Sequence, residues 1–272
     1  MTRDVAASTA GEQVTPVVLT YNEAPNIERT LRSLSWAERV VVVDSGSTDS
    51  TERIARSFPN VSWFVRPFDT HARQWSYAIF DTTITTPYVL ALDADYTVPD
   101  AFVQECTARF LAGAYDGGIA GFEYRVLGQS LLGSVYPAKP VLFRPAKLHI
   151  EQPGHTQDVR VDGRVYVFRA RLIHEDRKPV ERFVSSQLAY ARLEDERLAR
   201  GASRWQDRMR ASGLMPLVAG AAAYLKAGGP LRGRAALRYA YERVLFECLL
   251  AMRVLDRTSD SQDEAGRGSS RR

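Results

Sequence analysis

The stretch RVVVVD at 39–44 constrains the fold more than any other. Four consecutive valines leave no polar side for solvent, so the strand they predict is covered on both faces, as strands of parallel sheets are. VTPVVLT (14–20), VSWFV (61–65) and YVLALD (88–93) read as further strands. Helical segments lie between them. In YNEAPNIERTLRSL, Pro25 suits a first turn and Ile27, Leu31 and Leu34 recur at helical spacing. In SGSTDSTERIARSF, Asp49 and Glu52 predict a capping box, and ARQWSYAIF (72–80) reads as a third helix. Strands and helices alternating over short connections predict an α/β fold with a mostly parallel central sheet.

After a helix at 99–111, the pattern changes to strands and turns in GIAGFEYRV, GQSLLGSVYPAKPVLFRP and VRVDGRVYVFRARLIH, with Asp162-Gly163 expected as a hairpin turn. From Pro179 onward the chain reads as helical, parted at Gly228, Gly229 and Pro230. The organisation expected is a flexible leader (1–13), one α/β domain (14–178, with halves 14–98 and 99–178), a helical extension (179–257) and a disordered tail (258–272).

A chain of 272 residues with 45% apolar and 25% charged content is long enough for a sizeable core and is neither disordered nor fibrous in composition. Cys106 and Cys248 stand far apart in no metal-like spacing, which suggests a reducing compartment. The N-terminus lacks an apolar signal core, and no window holds the roughly 18 apolar residues needed to span a bilayer. A cytoplasmic location is expected, peripheral on the inner face of the cell membrane. The reason for the second clause is local. Residues 203–257 hold ten Arg or Lys against four Asp or Glu, while the whole chain is only +4. Those cations flank the apolar segments LMPLVAGAAAYLKAGG and ALRYAYERVLFECLLAMRVL, which points to an anionic membrane surface as a partner. The basic region has no nucleic-acid-binding motif, so nucleic acid is not expected.

Polar residues gather where the strands end: Thr20, Tyr21, Asn22 and Glu23 after the first, Asp44 after the second, Asp93 and Asp95 after the fourth. In parallel sheets ligands bind at those ends. Two carboxylates one residue apart suit Mg2+ or Mn2+, which takes one or two protein carboxylates and completes its shell with water and substrate phosphates. Neither GxGxxG nor GxxxxGK[ST] occurs, so no glycine-rich loop is available to cradle a phosphate.

VVLTYNEAPNIERTLRSL, VVVVDSGSTDSTERIA and YVLALDADYTVPDAF, in that order, resemble the nucleotide-sugar-binding half of family-2 glycosyltransferases over residues 14 to 110. To about residue 195 the chain is more weakly similar to bacterial transferases that build lipopolysaccharide core and other surface glycans. The resemblance implies a single A-type glycosyltransferase domain. It places Thr20, Tyr21 and Glu23 on the base and ribose, Asp44 on the base, Asp93 on the ribose or a metal water, and Asp95 on the metal beside the diphosphate. It suggests Arg73 for a phosphate and His174 as a further metal ligand. Relatives often read DADE where this chain reads DADY, so Tyr96 is expected to stack on the acceptor or donate to it.

An inverting transfer needs a general base for the acceptor hydroxyl, worth typically 10²- to 10⁴-fold. PGHTQDV is the local candidate, with Gln157 where an acid is often found; Asp158 is the first choice, followed by His155 and Glu151. The function expected is metal-dependent, inverting transfer of a hexose from a nucleotide-diphosphate sugar to a saccharide or lipid-linked acceptor in bacterial envelope glycan synthesis. Polyprenyl phosphate is the alternative acceptor. A catalytically silent nucleotide-sugar sensor or assembly subunit is the rival of another class.

Overall fold

The computed structural model describes residues 10–151, 158–201 and 205–269. The chain divides into two compact units, with the change between Lys178 and Pro179; Leu131–Val135 belongs with the second.

The first unit is built on a seven-stranded sheet. Its strands are β1 (Val14–Thr20), β2 (Val40–Asp44), β3 (Val61–Val65), β4 (Tyr88–Asp93), β6 (Gly117–Ala120), β9 (Lys139–Phe143) and β12 (Val165–Val167), in the order β12-β6-β9-β4-β1-β2-β3. β1 pairs in parallel with both β2 and β4, and β2 with β3; β9 alone runs antiparallel to its neighbours β4 and β6. Pairing of β1 with β2 begins at Val17, one residue past Pro16, whose ring carries no N–H to give. The valines explain why the sheet is covered twice. Val17, Val41, Val43 and Val89 pack with Trp75, Ala78 and Ile79 of α3 (His71–Phe80), while Val18, Val40, Val42 and Leu92, of the opposite parity, are also fully buried. Each such side chain contributes roughly 1.5–3 kcal/mol by leaving water.

Two short helices, α1 (Ile27–Arg32) and α2 (Thr51–Ala55), follow β1 and β2. A helix α4 (Asp100–Glu105) continues as a π-helical turn over Cys106–Leu111, so the element expected at 99–111 changes its winding midway. A second sheet joins β5 (Tyr96–Thr97), β13 (Leu172–His174), β7 (Phe122–Val126) and β8 (Gln129–Ser130) in that order, and β10 (Leu148–Glu151) pairs antiparallel with β11 (Asp158–Val161).

Three local expectations are corrected. Asp162-Gly163 turns the chain, but its flanking strands do not pair with each other: β11 joins β10, and β12 joins β6 in parallel. The turn is pinned from outside, because the Asp116 carboxylate accepts from the Arg164 N–H at 2.9 Å. A Cβ on Gly163, at φ +104°, would lie 2.2 Å from that carboxylate. Glu52 forms no capping box with Asp49; it pairs with Arg56, and Asp49 accepts instead from the N–H and hydroxyl of Thr51. Residues 10–13, the last part of the leader expected to be flexible, form a helical turn in which Ala10 is fully buried; residues 1–9 lie outside the described residues.

The second unit is helical: α5 (Val180–Ala199), α6 (Trp205–Ala211), α7 (Met215–Ala227) and α8 (Gly233–Ser269). α8 runs on to Ser269, through 258–269 of the stretch expected to be disordered; residues 270–272 lie outside the described residues. Ala191, Leu250 and Val254 form its core with Leu198, Phe246 and Leu249 packed around them. Among the described residues no helix is long and apolar enough to cross a membrane.

Candidate active site

Strand register brings the first set of polar residues together. Thr20 pairs with Asp44 and Leu19 with Asp93, so the ends of β1, β2 and β4 share one edge of the sheet. The loops beyond are laced to each other. Asn22 adopts a left-handed φ of 53°, which Asn tolerates better than most residues. Its N–H donates to Ser47 Oγ at 2.7 Å, and its Oδ1 accepts from the N–H groups of Thr48 (2.7 Å) and Asp49 (3.2 Å). Asp44, 3% exposed, accepts from the N–H groups of Gly46 (2.9 Å) and Ser47 (2.7 Å) and from the Ser47 hydroxyl. Three of its roughly four acceptor positions are therefore filled by its own loop. Thr20 is 4% exposed, and its hydroxyl has no partner; Tyr21 is half exposed.

Glu23 faces inward. Its carboxylate accepts from Lys178 Nζ at 2.7 Å and from Asn26 Nδ2 at 2.8 Å, and Asn26 Nδ2 also donates to Asp176 at 2.9 Å. Lys178 Nζ lies 3.4 Å from Asp176 as well. Burial opposes the Lys178 charge, but Asp95, Glu23 and Asp176 outweigh it and hold the ammonium well above its ordinary range. Burial raises the Glu23 carboxyl in spite of Lys178.

Asp93 and Asp95 differ in their surroundings. Burial works to raise Asp93, yet Lys139 at 3.6 Å, a hydrogen bond from Tyr96 and the nearby His71 and His174 hold it below the usual carboxylate range. Asp95 is buried, and that burial, reinforced by Asp93 and Asp176, pushes its pKa up to about 7 despite Lys178. Asp95 Oδ2 is 3.4 Å from His174 Nε2, whereas Asp95 Oδ1 and His174 Nδ1 are buried with no hydrogen-bond partner. β13 sets His174 opposite Tyr96 on one side and Tyr124 on the other. The imidazole stacks on Tyr124, with ring centroids 4.2 Å apart, and burial lowers its pKa to about 4. It is thus neutral at ordinary pH, the state in which an imidazole ligates metals.

The site therefore collects four carboxylates, Glu23, Asp93, Asp95 and Asp176, and two ammonium groups, Lys139 and Lys178. Among the described residues no three His, Cys, Asp or Glu side chains converge as a complete metal cage. The donors present still suit a hard divalent cation. A buried, unpartnered Asp95 oxygen beside a neutral imidazole is what an ion needs that draws the rest of its shell from water and phosphate.

Arg73 is not brought into this group. Its side chain is 75% exposed and pairs with Asp69 on the outside of α3. The neighbouring Gln74 is buried instead, donating to Ser45 Oγ and the Arg66 carbonyl, both at 3.2 Å. Tyr96 is 1% exposed; its hydroxyl accepts from Lys139 Nζ at 3.1 Å, so it cannot stack on an acceptor as expected. Glu151 and Asp158 face each other across β10 and β11, but their side chains lie outside the described residues, as does His155 altogether. Lys139, Lys178, Asn26 and Asp176 were not singled out in the sequence. Each is a common residue with at least one partner on a distant segment, and no local pattern marks it.

The glycosyl transferase family 2 model matches residues 16–161. An uncharacterized glycosyltransferase of Rickettsia bellii is 36% identical over 110 residues, 40% of this chain and 36% of the relative. The lipopolysaccharide core biosynthesis glycosyltransferase LpsC of Rhizobium meliloti is 28% identical over 101 residues, 36% of each chain. The chain thus spans little more than a third of the length of these relatives. Among solved structures, S. aureus TarS 1-349 superposes with a TM-score of 0.47 at 14% identity, over 88% of this chain and 90% of that one. The family match covers more than half of the sequence and takes in β1 from Pro16, β2, β4 and their polar ends, so this chain belongs to glycosyl transferase family 2.

Proposed function

We propose that the protein is an inverting glycosyltransferase that moves a hexose from a nucleotide-diphosphate sugar to a saccharide or lipid-linked acceptor in bacterial envelope glycan synthesis. The observation that carries this reading is the set of unpartnered buried polar atoms at the strand ends: Thr20 Oγ1, Asp95 Oδ1 and His174 Nδ1. Buried groups of this kind cost about 1–3 kcal/mol each when left unpaired, a cost that a polar ligand or ion removes.

In this reading the base and ribose lie against the laced loops, where Thr20, Tyr21 and the open acceptor position of Asp44 meet them. Glu23 acts through Lys178 and Asn26, shaping the floor of the pocket, and Asp93 accepts from the ribose or a metal water. Arg73 reaches a phosphate only by leaving Asp69. Asp95 and His174 would hold Mg2+ or Mn2+. When bound, such an ion neutralises charge developing on the diphosphate. The acceptor oxygen attacks the anomeric carbon from the face opposite the diphosphate, the bond to the phosphate oxygen breaks, and its electron pair leaves with the nucleotide. The acceptor proton passes to a general base, for which Asp158 is the first candidate, with His155 and Glu151 behind it.

Calorimetry of nucleoside diphosphates with Mn2+ tests the site, and release of nucleoside diphosphate from labelled sugar donors tests the reaction. Wild type is expected to bind and turn over, and Asp95→Ala to lose at least about 10²-fold in turnover, as loss of one electrostatic stabiliser does. Binding without sugar release or transfer would make the protein a sensor instead. Label appearing in polyprenyl phosphate rather than in longer glycans would change the acceptor. Asp158→Asn with undiminished turnover would remove Asp158 as base.

A further inference from the structure

The outward face of α7 has no polar side chain until its last turn. Leu214 just before the helix, then Leu217, Val218 and Leu225, are 41–75% exposed, and Ala221 and Ala222 between them are exposed too. The opposite face carries Gly220, Ala223 and Ala227, all buried; a Cβ on Gly220 would lie 2.5 Å from Val244 of α8. α7 thus buries its small residues against its neighbour and turns its large apolar ones to solvent, the reverse of an ordinary surface helix. Leu231, in the turn that follows, is 81% exposed.

Charge is equally one-sided. Between Asp207 and Glu242 the chain holds six Arg or Lys and no Asp or Glu. Lys226, Arg232 and Arg234 stand at the end of the apolar row, and none of the three has a carboxylate partner among the described residues. An exposed apolar row ending in unpaired cations complements one kind of surface: an apolar interior beneath anionic headgroups. A soluble partner would need a matching acidic and apolar face, whereas a bilayer supplies both over any area.

We infer that the outward face of α7, with Leu231 and the cations around it, docks on an anionic lipid bilayer. This binding involves neither donor nor acceptor, so it stands or fails separately from the proposed transfer. The test is co-sedimentation of the full chain with vesicles of phosphatidylcholine alone and with phosphatidylglycerol added, at low and high salt. Binding is expected to the anionic vesicles only, and to weaken with salt. Leu217→Asp with Leu225→Asp is expected to abolish it. Lys226→Gln with Arg234→Gln is expected to lower the partition coefficient about 30-fold, equivalent to about 1 kcal/mol for each cation. All four positions are exposed, and circular dichroism of each variant confirms the fold. No binding to anionic vesicles, or equal binding after both leucine changes, overturns the inference. So does a dimer in solution that the leucine changes dissociate while vesicles are ignored, which would assign the face to a second copy.

Discussion

Tyr96 follows the second aspartate of ALDADYT, and its place decides how the two aspartates differ. Its phenol is hydrogen-bonded to Asp93 and accepts from Lys139, and its ring lies edge-on to His174 at a centroid distance of 5.3 Å. One buried side chain thereby orients a carboxylate, an ammonium and an imidazole. Replacing Tyr96 by Phe keeps the ring and removes the hydroxyl, which leaves Asp93 and Lys139 each short of a partner. The expected cost is about 1–3 kcal/mol of stability, measurable by urea unfolding. A fall in affinity for the proposed nucleotide-sugar donor is expected to accompany it, visible in calorimetry. Asp95 has no such support, and its unpartnered oxygen is the more available for an ion.

At the level of elements, the second unit depends on ion pairs as well as on its core. Arg197 on α5 binds Glu194 at 2.8 Å and Asp207 of α6 at 2.7 Å; Arg210 of α6 binds Glu194 at 2.9 Å and grips both oxygens of Glu247 on α8 at 2.7 and 3.0 Å. These five side chains are 6–12% exposed, which makes the network intolerant of a missing member. Arg210→Ala strands Glu247 and half of Glu194 in a buried setting and is expected to cost about 3–5 kcal/mol. Hydrogen exchange should register this as faster opening of α6 and the adjoining part of α8, with the sheet of the first unit unaffected. Gly163→Ala is a smaller perturbation at the same scale. Both the left-handed φ and the Asp116 carboxylate oppose it, and a loss of about 1–3 kcal/mol is expected in thermal melts.

For the molecule as a whole, the site sets a pH dependence. Asp95 has a folded pKa of about 7 because of burial and its acidic neighbours, above the ordinary value near 3.8. Between those values the folded state keeps a proton that the unfolded chain has released, so rising pH favours unfolding. Asp95 by itself is expected to lower the stability of the metal-free protein by a few kcal/mol from pH 4 to pH 7 and no further above it, read as the difference between wild type and Asp95→Asn, because His174, lowered to about 4, works in the opposite sense over the same range. In the proposed function Mn2+ would bind the ionised form, so adding it at pH 8 is expected to raise the melting temperature, an effect that Asp95→Asn removes. That variant should also melt higher than wild type without metal at pH 8. The sheet, the strand ends that carry Thr20, Asp44, Asp93 and Asp95, and the helical character after Pro179 were legible in the sequence. Hydrophobic runs and their polar stops are local properties, and strand register does the rest. The pairing of β12 with β6, the burial of Tyr96, the outward position of Arg73 and the encirclement of Lys178 by three acids were not legible. Except for Arg73, which pairs with Asp69 four residues away, each depends on contacts between segments far apart in the chain, where packing and charge neutralisation choose among partners that local propensity leaves equivalent. The sequence by itself therefore determined which edge of the sheet gathers the polar side chains, and the tertiary structure decided which of them are held by neighbours and which are buried without a partner.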